Sequence, residues 1–400
     1  MKNNFIDSFN ILKTYCEAQN FAGWDPYDGL NSKVFQSTPL KHWDLARLIW
    51  IQGFKRSPIN FRKVMLVPKE HNAKGIALFL TGYCNLYKAQ QMSGKEKFGT
   101  QDEILEKINY LANLLISLQC KGYSGACWGY NFDWQARRLF FFPKYTPTVV
   151  ATSFCASALF EAYEITKNKE LLDTALLSAQ FVLKDLHRTK KSEGFLFSYS
   201  PLKGNDTVYN ASLLGSKLLS YCYYYEHKNE YKNIARESII ACINAQQPDG
   251  SWVYGENKAQ NWIDSFHTGY NLDALQSYQK LTGDNSFSKN IGKGFEFYIN
   301  NFFLEDGTPK YYHNKTYPID IHCPAQLFVT LYSLKKFNKH KKLAERVMNW
   351  TIRNMQDKKG YFYYQIKKGK NSKISYMRWS NAFMFYGMSF YLLDQNKNNE

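Results

Sequence analysis

Apolar positions recur with the 3.6-residue period of amphipathic helices along most of the chain, as at Leu111, Leu114, Leu115 and Leu118. Clusters of Gly, Pro and Asn separate the periodic stretches. The stretches follow a repeated order: an amphipathic helix, a turn rich in glycine and aromatics, a polar loop, then a more uniformly apolar helix. One copy has helix 111–118, turn 122–130, a loop through Pro143 and Pro147, and helix 149–163. The next has 181–186, turn 194–199, a loop to Asn210 and helix 211–225. A third has 239–247, turn 248–254, a loop through Trp262 and His267, and helix 271–281. The fourth and fifth place helices at 295–303 and 324–334, then at 347–356 and 379–393. Units spaced by roughly 50 to 70 residues predict a closed array of helix pairs, each burying its faces on its neighbours. The less regular stretch 1–100 is expected to supply a sixth pair from the apolar segments 45–51 and 75–87. The expectation is one all-α domain over residues 1–400.

Two turns carry a motif. Gln246-x3-Gly250-x-Trp252 fits the Q-x3-G-x-W turn of terpenoid-cyclase-type toroids, and Gln356-x3-Gly360-x-Phe362 is a near match. In physical terms the glycine permits a tight backbone and the aromatic packs on the preceding helix. The layout resembles the (α/α)6 toroids, which include six-hairpin glycosidases, uronate lyases, uronosyl epimerases and terpene cyclases. Residues 23–30, 127–135 and 262–269 further resemble a bacterial family of surface-polysaccharide gene clusters, over nearly the whole chain. Members of that family are sometimes labelled delta-aminolevulinic acid dehydratase. That enzyme is an α/β barrel with alternating strands and a Schiff-base lysine, and this helical pattern speaks against the label. The resemblance implies work on a surface polysaccharide, alone or beside polysaccharide-assembly proteins.

Composition narrows the ligand. Aromatic residues make up 17% of the chain and charged residues 21%, which excludes a disordered or coiled-coil protein. The net charge of +17 raises the local concentration of polyanions. Zinc-finger, RNP and helix-turn-helix patterns are missing, so an acidic oligo- or polysaccharide is expected rather than nucleic acid. Residues 1–16 lack the order of a signal peptide, and no apolar run approaches the ~20 residues needed to span a bilayer. A cytoplasmic protein without an integral membrane segment is the expectation. Eight cysteines scattered through apolar segments, with no CxxC, predict reduced core thiols.

In a ring of hairpins the loops at one end form the mouth of a central cavity. Polar and aromatic residues near the turns are therefore the site candidates: Trp24, Asp25, Tyr27 and Asp28; Trp128, Tyr130, Asn131, Asp133, Trp134 and Gln135; Tyr199 and Asn210; Trp252, Tyr254, Asp264, His267 and Tyr270; Tyr312, Asp320 and His322; Arg378, Trp379 and Asn381. Trp and Tyr rings stack on sugar faces while Asp, Asn and Arg bond hydroxyls, a mixture that suits a glycan. Two chemistries fit. In the first, Asn210 or Arg378 neutralises a uronate carboxylate while His267 or Tyr270 removes the C5 proton, giving elimination or epimerisation. Asn210, His267, Tyr270 and Arg378 resemble, in type and order, the catalytic set of toroidal uronate lyases, although Tyr270 follows His267 more closely. In the second, two carboxyls hydrolyse a glycoside by inversion, with Asp133 and Asp264, or Asp25 and Asp28, as acid and base. A catalytically silent glycan-binding scaffold would carry the same aromatics. His322-Cys323 with His267 hints at zinc, but separated Cys ligands, D-x-D-D, D-D-x-x-D and P-loop patterns are all missing, so no metal or cofactor is expected.

Overall fold

The computed structural model describes residues 2–135 and 141–397. Among these the helices are α1 (Lys2–Ala18), α2 (Lys33–Gln36), α3 (Asp44–Arg56), α4 (Ala73–Ser93), α5 (Gln101–Ser117), α6 (Val149–Thr166) and α7 (Lys169–Gln180), followed by α8 (Tyr209–Glu226), α9 (Asn229–Asn244), α10 (Ser265–Thr282), α11 (Ser288–Phe302), α12 (His322–Ser333), α13 (Lys341–Met355) and α14 (Phe383–Lys397).

Helices α4, α6, α8, α10, α12 and α14 each pack on the next, and α14 returns to α4, closing an inner ring. Their sequences account for the position. α6 buries residues on every side, among them Val149, Val150, Cys155, Ala156, Leu159 and Phe160, as a helix with two protein faces must. α13 buries only Ala344, Val347, Met348, Thr351 and Met355, one stripe at helical spacing, and belongs to an outer layer. The outer partners are α5, α7, α9, α11 and α13, and α1 packs against α14. The sixth pair is therefore made by the two ends of the chain. This corrects the expectation for segment 45–51: it forms α3, which lies outside the ring on the short turns Asp28–Asn31 and Pro39–His42.

The Q-x3-G-x-W turn ties neighbouring outer helices together. Gln246 Nε2 donates to the Gly250 carbonyl at 2.9 Å and to Asn290 of α11 at 3.0 Å. The Trp252 indole N–H reaches back to the Cys242 carbonyl at 2.9 Å. Gly250 has φ +93°, and a Cβ there would lie 2.4 Å from the Lys293 carbonyl oxygen, so the turn admits only glycine. Gln356 repeats the device, bonding Gly360 at 3.1 Å and Ser8 of α1 at 2.9 Å, which locks the N-terminal helix into the ring.

All strands are short and lie in the loops. β1 (Trp134–Gln135) pairs with β2 (Phe141–Phe142), and β3 (Arg188–Lys190) with β4 (Phe195–Phe197). β5 (Ile319–Asp320), β6 (Tyr363–Lys367) and β7 (Lys370–Ser375) form a three-stranded antiparallel sheet in that order. The eight cysteines are free thiols, and all but Cys120 are buried.

Candidate active site

The inner helices all begin at the loop end, and their first turns carry the polar residues of the cavity. A backbone device sets the surrounding aromatics. The N–H groups of Val149, Tyr209, Ser265, Ile321 and Met377, at the starts of five inner helices, donate to the carbonyls of Tyr199, Tyr254, Tyr311, Tyr364 and Trp24 in the following loops. Each bond satisfies a donor that a helix start leaves orphaned, and it fixes an aromatic residue at the rim. Six helix N-termini at one end also give the mouth a positive potential.

Asp264 caps α10. Its Oδ1 accepts the His267 backbone N–H at 3.0 Å, while Oδ2 accepts the Trp262 indole N–H at 2.9 Å and stands 2.8 Å from His267 Nδ1. A carboxylate at Nδ1 keeps the proton there, so Nε2 of the neutral ring is an acceptor. The Asp264 side chain is fully buried and that of His267 is 20% exposed. Nε2 has no hydrogen-bond partner among the described residues. Tyr254 and Trp262 stack at 4.7 Å beside the imidazole, with Tyr254 4.6 Å from it. The imidazole is thus held through Nδ1 beside an aromatic wall.

A second chain of groups runs deeper. Tyr270 Oη lies 2.6 Å from His322 Nε2, and Lys74 Nζ donates to the same Oη at 3.4 Å. Burial pushes the Tyr270 hydroxyl well above the usual tyrosine range. Burial, followed by Lys74 and His267, holds His322 well below the histidine range. Tyr270 thus keeps its proton and donates to a neutral His322, whose buried Nδ1 has no partner. Lys74 is enclosed by Phe154, Phe383 and Tyr270, 4.2, 5.0 and 5.1 Å from the ring centres, with no carboxylate within bonding distance among the described residues. Burial, then Arg378, holds its ammonium well below the usual lysine range.

The remaining candidates divide. Arg378 and Trp379 sit on a π-turn, Met377–Ala382, that leads into α14. Arg378 is closed by Asp25 through Nε–Oδ2 at 2.6 Å and Nη2–Oδ1 at 2.8 Å, and both side chains are buried. Asp28 is held by Arg62 at 2.6 Å. Both carboxyls are thus engaged by arginines, and Arg378 spends two of its five N–H groups on Asp25. Asp133 accepts the Lys144 backbone N–H at 2.8 Å in its hairpin. Asn131 is used between Glu70 and Asn72. Asp320 accepts from Gln365, Trp379 and the His322 backbone. Trp128 and Trp252 are buried packing residues, with their indole N–H groups on the Leu115 and Cys242 carbonyls, and cannot meet a sugar. Trp24 bonds the Val67 carbonyl beneath Lys69. Asn381 holds the Phe362 N–H. Asn210 is buried on the first turn of α8, and its Oδ1 has no partner.

Ring and hydroxyl contacts at the loop end link Tyr27 to Trp134 and Trp379, Tyr130 to Tyr199, and Tyr254 to Trp262. Tyr130 and Tyr199 share a hydroxyl contact at 3.3 Å, Tyr27 lies 5.6 Å from Trp379 and 6.0 Å from Trp134, and Lys55 donates to Tyr27 Oη at 2.6 Å. Sequence reasoning missed Lys74, Trp262, Lys55 and the ring members Tyr311 and Tyr364. Signals for some were present. Lys74 is a lone charge opening an apolar helix, Trp262-x-Asp264-x2-His267 spaces two donors about a capping carboxylate, and Tyr254, Tyr311 and Tyr364 each stand four residues after a turn glycine.

No family model and no curated protein matches the chain. Solved structures do match. Cellobiose 2-epimerase from Bacillus thermoamylovorans B4167 superposes with TM-score 0.62 at 15% identity, covering 81% of this chain and 88% of its own. An α-mannanase of glycoside hydrolase family 76 from Bacteroides thetaiotaomicron gives 0.59 at 11% identity, over 82% and 88%. Unsaturated glucuronyl hydrolase from Streptococcus agalactiae gives 0.58 at 10% identity, over 100% and 92%. At these identities the likeness is one of architecture, and with the closed ring of six hairpins it identifies the chain as an (α/α)6 toroid.

Proposed function

We propose that this chain is a carbohydrate-active enzyme of bacterial surface-polysaccharide production that abstracts the C5 proton of a uronate in an acidic glycan. The observation that carries the proposal is the His267–Asp264 pair, in which Nδ1 is held by the carboxylate and Nε2, beside the stacked rings of Tyr254 and Trp262, has no hydrogen-bond partner among the described residues. Nε2 takes the proton, and Asp264 stabilises the imidazolium that forms. The carbanion spreads into the neighbouring carboxylate. Arg378, Lys55 and the converging helix N-termini supply positive potential. Return of a proton to the opposite face gives the C5 epimer, and expulsion of the C4 substituent gives an unsaturated uronate. The tyrosine and tryptophan faces hold the rings.

The similar structures include sugar epimerases and glycoside hydrolases, which supports a carbohydrate substrate. Hydrolysis by two carboxyls is the weaker reading, because Asp25 and Asp28 are held by arginines and Asp264 by Trp262 and His267. Incubation with acidic and neutral bacterial glycans in D2O, read by NMR, tests the proposal. Deuterium at C5 or new olefinic protons are expected. Reducing ends alone would make the protein a hydrolase, and binding without turnover would make it a scaffold.

A further inference from the structure

The exposed apolar side chains are not scattered. The six most exposed large hydrophobic residues among those described are Val64 (72%), Leu45 (68%), Trp43 (65%), Ile49 (62%), Ile59 (62%) and Leu66 (55%), and all lie within residues 43–66. A helix face shows how they are presented. On α3, Leu45 and Ile49 stand one turn apart in solvent, and a Cβ added at Gly53, a further turn on, would meet open space. The opposite face is buried through Ile51 and Phe54, and Trp50 donates to the Gly29 carbonyl at 2.9 Å and stacks on Phe35.

The segment is a firm platform rather than a loose loop. Leu30, Phe35 and Ile51 form a small core of their own. Arg62 anchors the chain between Ile59 and Val64 by its bonds to Asp28, Tyr376 and the Asp25 carbonyl. Apolar groups held outward on such a scaffold mark an interaction surface.

Charge identifies the partner. Residues 33–66 contain seven basic residues and one acidic residue, Asp44, which is paired with Arg47. Lys33, Arg56 and Lys63 are exposed among the apolar side chains. Large apolar side chains interleaved with lysine and arginine are what an anionic lipid surface binds: the rings and branched chains enter the acyl boundary and the cations meet phosphates. A second copy of a chain carrying +17 is opposed by its own charge. No helix among the described residues is long and apolar enough to cross a membrane, so the contact would be peripheral.

We infer that residues 33–66 dock this protein on an anionic phospholipid surface. The platform is bonded to the rim of the cleft through Lys55 to Tyr27 and Arg47 to Gln135. Docking therefore presents the mouth to glycans attached to lipids, a consequence that rests on the proposed glycan chemistry, whereas the docking itself does not.

The test is co-sedimentation of the full chain with phosphatidylcholine vesicles, with and without phosphatidylglycerol, at low and raised salt. Binding is expected to the anionic vesicles, weakened by salt. Leu45→Glu with Ile49→Glu and Val64→Glu should reduce binding about tenfold or more, and Lys33→Glu with Lys63→Glu about tenfold, both with an unchanged unfolding temperature. Failure of the parent chain to bind anionic vesicles overturns the inference, as does equal binding by the triple variant. A parent chain that dimerises while the triple variant is monomeric, with neither binding vesicles, would assign the face to self-association and overturn it also.

Discussion

Two acid–base pairs stand about the same cleft and do different work. Asp25 and Arg378 form a buried two-bond pair. Asp264 and His267 form a pair in which the carboxylate is saturated and the imidazole keeps one nitrogen free. A guanidinium is always charged and matches a carboxylate edge to edge, so the first pair holds the π-turn of α14 against the N-terminal loop. An imidazole has two nitrogens of opposite role, so fixing one prepares the other. Chemistry is thus expected from the pair that keeps a free acceptor nitrogen, and architecture from the pair whose cation cannot give up its charge.

The sharpest way to break this contrast is His267→Ala, expected to lower turnover ~10²- to 10⁴-fold with little change in unfolding temperature, measured on whichever glycan shows exchange in D2O. Retained turnover would remove His267 from the chemistry. Arg378→Met should instead cost about 3–5 kcal/mol in urea unfolding, because Asp25 is left buried and unpaired, and adding Asp25→Asn should restore part of the loss. A stable Arg378→Met protein that has lost turnover would return Arg378 to substrate binding.

Asp320 offers a pH test. Burial pushes its carboxyl from 3.8 up to about 6, so the folded chain binds this proton more tightly than the unfolded chain. Its contribution to stability is full below about pH 4 and is lost as pH rises through about 6. Relative to Asp320→Asn, the parent chain should lose up to about 3 kcal/mol between those limits in urea titrations at several pH values. A difference independent of pH would mean that the carboxyl titrates normally. The smallest effect is expected from Trp252→Phe, about 1 kcal/mol for the lost bond to Cys242, with KM unchanged. A raised KM would show the indole to be a sugar platform.

Much of the fold was legible because hairpin packing writes a local code. The apolar stripe of the outer helices, the all-round apolar inner helices and the turn at Gln246, Gly250 and Trp252 each depend on neighbours a few residues away. The pairing of α1 with α14 was not legible, since contact between chain ends leaves no periodic mark, and 45–51 was misplaced because an apolar helix reads alike inside a ring and on a platform. At the site, the pattern places Asp264 and His267 in a loop before helix 271–281, whereas they share the start of α10, where capping brings them together. Trp128 and Trp252 belong to the same turns and read as sugar platforms, because a sequence does not say which way a ring faces.

The sequence by itself determined the repeat and the helical class, both consequences of short-range spacing. Only the tertiary structure decided which charges remain unspent. Arg378 meets Asp25 across 353 residues, and Lys74 meets Tyr270 across 196, so whether each cation is neutralised or left without a carboxylate depends on contacts that exist only once the ring has closed.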